Sequence, residues 1–223
     1  MSEKYASVDA GTNTILLLIG KMDENGEVIT VRDEHKLARL GENMGETGRI
    51  SPEAEDRAVK VLENYRDICV QYNVKKIKAV GTSALREAEN KDEVRARLEK
   101  ALGAEIIPIT GIDEANYSFI GSVEDDEPSV ALDIGGGSTE MISGSREKPE
   151  NMLSMYVGAV NLTDKFLREH PPSHHQVENA KAFVDKKLDE AEGKVYSGKF
   201  YAVAGTPTTI AAVSLGLKDF QRD

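Results

Sequence analysis

The sequence predicts an α/β protein of two domains, each built on a mixed β-sheet flanked by helices. Strand-like segments alternate with amphipathic helical segments along the chain, which is typical of α/β architecture. An Asn25-Gly26 hairpin signal joins two early strands, so the sheet is mixed rather than purely parallel. One short pattern also occurs twice, as "VDAGTNT" from Val8 and "LDIGGGS" from Leu132, which indicates two related halves.

The first half begins with strands and then alternates helices with strands. Ser51-Pro52 supplies an N-cap and a proline at the first helical position. Apolar residues then recur at helical spacing as far as Tyr72. The predicted strands are residues 5–9, 14–22, 27–37, 76–81 and 105–109, and the predicted helices are residues 53–72, 91–102 and 113–123.

The polar segment "EDDEPS" (124–129) is the predicted domain boundary, which gives domains of residues 1–124 and 125–223. After it the pattern restarts. The predicted strands are 130–133, 138–143, 152–157 and 200–204, and the predicted helices are 162–169, 173–191 and 208–215.

Composition excludes several classes of function. The chain has 223 residues and a formal net charge of −11, which argues against a nucleic-acid-binding surface. No apolar run is long enough to span a bilayer and the N-terminus lacks a signal-peptide layout, so we expect a cytoplasmic protein without membrane contact. The single Cys69 is expected to be a buried structural thiol, and His174-His175 has no partner at metal-binding spacing.

Each copy of the repeated pattern reads as a strand, a glycine turn and a returning strand. A dinucleotide fingerprint would lead into a helix, and a Walker A loop would need Gly-Lys-Ser/Thr. Consecutive backbone N–H groups and hydroxyls in such a turn can instead bind an anion, with the aspartate holding a cation beside it. The alternative is an ordinary hairpin. The predicted phosphate-binding residues in the two turns are Gly11, Thr12, Asn13, Gly135, Gly136, Gly137, Ser138 and Thr139.

Six segments, in this order, resemble the exopolyphosphatase/guanosine pentaphosphate phosphatase family: "VDAGTNTILLLI", "ARLGENMGETGRIS", "AVGTSALREAEN", "ITGIDEANYSFIG", "LDIGGGSTEMI" and "VAGTPTTIAA". The resemblance implies two ribonuclease-H-like domains with an inter-domain cleft, the fold of actin-like ATPases. It also implies Mg²⁺-dependent hydrolysis of terminal phosphates from polyphosphate or guanosine pentaphosphate. A homodimer is one assembly that it allows.

The resemblance makes Glu114 the base for the attacking water. The alternative is that Glu114 and Asp113 are acids favoured at a helix start. Asp9, Asp133 and Glu140 are hard oxygen ligands suited to Mg²⁺, and Glu140 is also a catalytic candidate.

Four further residues are candidates for phosphate binding. Arg86 could neutralise substrate charge, or simply pair with Glu87 or Glu89, and Arg39 is a weaker candidate. In "AGTPTT", Gly205 and Thr206 could meet an anion at a helix N-terminus, or form a plain strand-to-helix turn.

The chain departs from the family pattern at two places, and other functions stay open. Asn116 stands where many relatives carry arginine, and the chain ends soon after the last matching segment, so the second domain is expected to be incomplete. One alternative is a kinase of the superfamily that includes actin, the sugar kinases and the heat-shock chaperones, to which the resembled family belongs. Another is a non-catalytic sensor that binds guanosine tetraphosphate or polyphosphate.

Overall fold

A computed structural model describes residues 3–124, 126–189 and 196–218. The chain forms two compact units, Met1–Thr110 and Gly111–Asp223. The division therefore lies before the helix that starts at Gly111, not after it as the sequence predicts. The physical reason is that this helix packs against the sheet of the second unit.

The first unit is a five-stranded mixed sheet with helices. Its elements are β1 (Lys4–Ala10), β2 (Thr14–Met22), β3 (Val28–Leu37), α1 (Met44–Thr47), α2 (Pro52–Gln71), β4 (Val74–Gly81), α3 (Ser83–Glu87), α4 (Lys91–Leu102) and β5 (Ile106–Pro108). The strand order is β3-β2-β1-β4-β5, with β1 antiparallel to β2 and parallel to β4. Helices α1 and α3 were not predicted, because they are too short to show helical periodicity.

Helix α2 illustrates how local signals and burial agree in this unit. Ser51 Oγ accepts a hydrogen bond from the N–H of Ala54 at 3.2 Å, as the N-cap prediction requires. At the buried side of the helix, the hydroxyl of Tyr65 donates to the carbonyl of Ile15 at 2.8 Å. Cys69 lies in the same core, and burial raises the pKa of its thiol. A structural role for this thiol therefore fits its surroundings.

The second unit repeats the strand arrangement of the first. Its elements are α5 (Gly111–Ser122), β6 (Ser129–Ile134), β7 (Thr139–Ser145), β8 (Lys148–Met155), α6 (Ala159–Phe166), α7 (His174–Asp189), β9 (Lys199–Val203) and α8 (Gly205–Ser214). Its strand order is β8-β7-β6-β9. Neighbouring strands in this order have the same parallel or antiparallel relations as those in β3-β2-β1-β4. The last two residues of the predicted helix 173–191 lie outside the described residues.

Helix α5 covers one face of the second sheet. Ala115 and Phe119 are fully buried and belong to one apolar cluster with Ala131 of β6 and Ile142 of β7. This packing fixes which side of α5 faces the strands. Among the helices in the described parts of the chain, none combines the length and hydrophobicity that a membrane crossing requires.

Candidate active site

A row of polar side chains crosses the second sheet over three adjacent strands. Asp133 of β6 pairs directly with Glu140 of β7, and Glu140 pairs with Ser154 of β8. Directly opposite residues of neighbouring strands project from the same face of a sheet, so these three side chains are neighbours. Ser154 Oγ donates a hydrogen bond to Glu140 Oε1 at 2.8 Å. The register of the hairpin thus brings two carboxylates together.

Helix α5 adds further polar groups to this row. Ser118 Oγ donates a hydrogen bond to Asp133 Oδ2. Glu114 lies four residues earlier, on the same side of the helix. Its charge is the second largest influence on the pKa of Glu140. The structure therefore brings Glu114, Asp133 and Glu140 into one neighbourhood of the second unit.

Burial is the main cause that raises the pKa of both strand carboxylates. Glu140 is only 2% exposed. Burial, with a smaller contribution from Glu114, raises its pKa to about 8, against the hydrogen bonds from Ser154 and Ser138. Burial also raises the pKa of Asp133, although the Ser118 hydrogen bond opposes this. A buried acid beside a half-buried one forms a site that a cation would stabilise.

The donor set fits a magnesium ion held by a pair of carboxylates. Mg²⁺ usually binds through one or two carboxylates together with substrate phosphates and waters. Asp133 and Glu140 supply such a pair. Among the described residues there is no group of three or more His, Cys, Asp or Glu side chains arranged to hold a metal. An ion here would therefore depend on phosphate and water for its other ligands.

The carbonyl groups of the glycine turn between β6 and β7 accept hydrogen bonds from helix α6. Ala159 N–H donates to the Gly135 carbonyl at 3.0 Å, and Val160 N–H donates to the Gly136 carbonyl at 2.8 Å. The side-chain amide of Asn161 donates to the Gly137 carbonyl at 2.6 Å. The carbonyls thus point to α6. In the described part of the chain, the N–H groups of Gly136 and Gly137 meet no acceptor.

Close approach of two backbones explains why glycine is needed here. A Cβ added to Gly158 would lie 2.4 Å from the carbonyl oxygen of Gly136 and 2.7 Å from the nitrogen of Gly137. The glycine-rich turn therefore packs against the start of α6 as well as offering N–H groups. Part of the glycine content serves this packing.

The turn between β1 and β2 in the first unit is built in the same way. Gly11 N–H donates to the Thr14 carbonyl at 3.1 Å, and Gly135 N–H donates to the Ser138 carbonyl at 3.0 Å. The Thr12 carbonyl accepts from Gly41 N–H at 2.9 Å. A Cβ on Gly41 would lie 2.4 Å from Cγ2 of Thr12, so a close approach recurs.

This turn also carries one hydroxyl, that of Thr12, which could donate to an anion. The Asn13 carbonyl accepts from Ala38 N–H at 3.1 Å and from Arg39 N–H at 2.8 Å. The buried hydroxyl of Thr12 has no hydrogen-bond partner within the described residues. Asp9 lies on β1, in the position of its sheet that Asp133 has on β6.

Three other residues considered for phosphate binding, Arg86, Arg39 and Thr139, already have partners within the protein. Arg86 Nε donates to Glu87 at 3.0 Å, the ion pair that its alternative interpretation names, and Nη1 donates to the Ile109 carbonyl at 3.1 Å. Arg39 has φ 49° and lies 3.8 Å from a carboxylate oxygen of Glu42. Thr139 Oγ1 donates to the Val157 carbonyl at 2.6 Å, so its hydroxyl proton is already in use.

Gly205 and Thr206 form the first turn of α8, which starts earlier than predicted. Strand β9 runs parallel to β6, with Val203 beside Asp133. The start of α8 therefore follows the same edge of the sheet at which Asp133 lies. The predicted role of this helix start in anion binding stays a prediction.

Sequence reasoning missed Ser118, Ser154, Gly158 and Asn161. For Ser118 a signal existed, because it lies one helical turn after Glu114. Ser154 could be found only from the β7–β8 register, which shifts by one residue between Ser143 and Gly144. Gly158 and Asn161 act through backbone contacts that no local pattern reports.

Comparison with known proteins gives consistent matches. A sequence profile described as "Ppx/GppA phosphatase family" matches residues 19–215. Exopolyphosphatase 2 of Mycobacterium tuberculosis is 34% identical over 226 residues, covering 95% of this chain and 70% of that protein. Exopolyphosphatase 1 of Mycobacterium bovis is 30% identical, covering 96% of this chain and 62% of that protein.

The fold is found in solved structures. A crystal structure described as an exopolyphosphatase-like protein has a TM-score of 0.92 and 31% identity, covering 98% of this chain and 71% of that one. The chain has two mixed sheets flanked by helices, and solved structures of similar proteins share this arrangement. This is the actin-like ATPase fold that the resemblance implied. The chain spans roughly two thirds of the length of the curated relatives it matches, 70% and 62% in the two cases above.

Proposed function

Because the chain belongs to the Ppx/GppA phosphatase family, we propose that it hydrolyses the terminal phosphoanhydride bond of inorganic polyphosphate, with Mg²⁺. The observation that carries the proposal is the group of Glu114, Asp133 and Glu140 beside a turn whose Gly136 and Gly137 N–H groups meet no acceptor among the described residues. The names of the relatives support polyphosphate as the substrate. Guanosine pentaphosphate ends in the same type of bond, so we propose it as the second substrate to test. We expect the reaction to take place in the cytoplasm.

The proposed mechanism gives each group of this site one task. The glutamate Glu114 orients the attacking water and accepts its proton. The N–H groups of Gly136 and Gly137 donate to the phosphate oxygens, where charge accumulates during transfer. Asp133 and Glu140 would hold the magnesium ion, which when bound neutralises phosphate charge. Since the pKa of Glu140 is about 8, cation binding near neutral pH would release a proton from it.

We assign the same chemistry to the matching residues of the first unit. Asp9 is proposed as a carboxylate for the cation, and the turn from Gly11 to Asn13 as a donor of N–H and hydroxyl groups to phosphate. The equivalent hydrogen bonds in the two turns support this assignment. Arg86, Gly205 and Thr206 are proposed as further contacts with the substrate. An Asp9→Asn variant should therefore need more Mg²⁺ for half-maximal activity, as an Asp133→Asn variant should.

The deciding experiment is phosphate release from long-chain polyphosphate and from guanosine pentaphosphate, with and without Mg²⁺. In parallel, a Glu114→Gln variant should lose about 10²–10⁴-fold in turnover, the usual contribution of a positioned base. Glu147→Gln is the matched control, because Glu147 is exposed in the turn between β7 and β8. Near-normal turnover by the Glu114 variant would show that Glu114 is not the base and would favour the alternative, an acid that stabilises the helix start. Tight binding of either compound by the wild type without phosphate release would favour a sensor.

A further inference from the structure

Two serine hydroxyls from different elements of the fold contact the acids of the candidate site. Ser118 on α5 donates to Asp133 Oδ2, and Ser154 on β8 donates to Glu140 Oε1 at 2.8 Å. The acids themselves lie on β6 and β7. Each carboxylate is therefore held by a hydroxyl that comes from a different element of the fold.

The contact of Ser118 differs from what a serine in a helix normally does. Serines inside helices usually bond back to a carbonyl of their own helix. Ser122, one turn later in α5, does so and donates to the Ser118 carbonyl at 2.7 Å. Ser118 instead reaches another element. Helix α5 thus offers an internal comparison: the Ser118 hydroxyl bonds to an acid of the site, and the Ser122 hydroxyl bonds to the backbone of its own helix.

Ser154 is also placed by tertiary structure and not by local preference. It is the direct cross-strand neighbour of Glu140, so the register of β7 and β8 sets the contact. By contrast, the hydroxyl of Thr139, one residue before Glu140, donates to a backbone carbonyl. Ser154 is therefore the hydroxyl that β8 supplies to Glu140, in addition to the hydrogen bond from Ser138 in the turn.

A hydroxyl bound to one carboxylate oxygen restricts rotation of the whole group. For Asp133 the bond engages Oδ2, and Oδ1 receives no hydrogen bond within the described residues. Mg²⁺ demands near-ideal octahedral geometry at about 2.0–2.1 Å, so a fixed carboxylate plane matters more for this ion than for larger ones. Groups that hydrogen-bond to ligating side chains commonly contribute about 10–100-fold in metal affinity.

We propose that Ser118 and Ser154 are positioning residues that orient Asp133 and Glu140 for a divalent cation. The inference rests on the proposed function, because it assumes that these acids hold the ion. It adds two residues outside the repeated motif: Ser118 lies in the segment "ITGIDEANYSFIG" but was given no role there, and Ser154 lies outside all six segments. Their task is to select the orientation of the two carboxylates before substrate arrives.

The test measures cation binding directly as well as activity. Binding of Mn²⁺ by electron paramagnetic resonance and of Mg²⁺ by calorimetry would be recorded without substrate. The variants are Ser118→Ala, Ser154→Ala and Ser118→Thr, with Ser122→Ala as the control on the same helix. Circular dichroism and thermal melting would verify folding, and Ser118→Thr, which keeps the hydroxyl, shows whether cation affinity depends on that group.

We expect each alanine variant at 118 and 154 to weaken cation binding by about 10–100-fold. The Mg²⁺ concentration for half-maximal phosphate release should rise in parallel, with kcat at saturating Mg²⁺ and KM for polyphosphate close to wild type. Ser118→Thr should restore cation affinity, and Ser122→Ala should not change it.

Two results would overturn the inference. One is equal cation affinity in Ser118→Ala and Ser122→Ala. The other is a wild-type protein that binds neither ion. Failure of the proposed function looks different, because wild type would then bind the cation in a serine-dependent way yet release no phosphate.

Discussion

Replacing Glu140 by glutamine should make the protein more stable at alkaline pH in the absence of metal. Glu140 is 2% exposed and its pKa is about 8, whereas its ordinary value is 4.5. Glutamine cannot ionise, and it keeps the oxygen that accepts the hydrogen bond from Ser154. The substitution therefore removes a buried charge with little change in shape.

The pH window follows from the direction in which burial moves this pKa. Below about pH 4.5 the carboxyl is protonated in both the folded and the unfolded chain, so it causes no loss of stability. As the pH rises to about 8, the unfolded chain ionises first and the free energy of unfolding falls. Above that pH the loss is constant. A tenfold change in an acid dissociation constant corresponds to about 1.4 kcal/mol, so a loss of roughly 2–4 kcal/mol is expected after relaxation of the site.

Urea unfolding from pH 5 to pH 9 in a metal chelator measures this effect. Glu140→Gln should lie within about 1 kcal/mol of wild type at pH 5 and exceed its free energy of unfolding by roughly 2–4 kcal/mol at pH 9. Adding Mg²⁺ at pH 9 should stabilise wild type more than the variant. Glu147→Gln, at an exposed position, should follow wild type throughout. A variant less stable than wild type at pH 9, or parallel pH curves, would refute the reasoning.

The remaining predictions concern the packing around the turns and one helix end. Gly158→Ala should destabilise the second unit by about 1–3 kcal/mol or more in thermal melting, since its Cβ would lie 2.4 Å from the Gly136 oxygen. Gly121→Ala in α5 has open space around the new Cβ, so a similar loss there would contradict the steric argument. Asn161→Ala removes bonds to the Gly158 nitrogen at 2.7 Å and to the Gly137 oxygen at 2.6 Å, and should cost about 1–3 kcal/mol in urea unfolding. Unchanged unfolding would mean that water replaces the amide. Ser51→Ala should lower the stability of the first unit by about 1 kcal/mol through loss of the α2 cap, whereas Ser51→Asp should largely preserve it.

Local sequence signals are sufficient to specify the longer helices, the strands and the duplication of the two sheets. Strand and helix periods and the Ser51-Pro52 signal act within a few residues, so no distant contact is needed to recognise them. The repeated pattern around Asp9 and Asp133 also located both turns, since identical turns require similar residues. Residues 44–47 and 83–87 were missed as helices because one turn carries no periodic signal.

The boundary between the units and the partners of the acids depend on long-range packing. Helix α5 follows the first sheet in sequence, yet its apolar side, with Ala115 and Phe119, is buried on the second sheet. That packing sets Glu114 and Ser118 beside Asp133 and Glu140. Ser154 reaches Glu140 only through the register of β7 and β8. The raised pKa of Glu140 follows from burial, a property of the folded chain that no residue type carries alone.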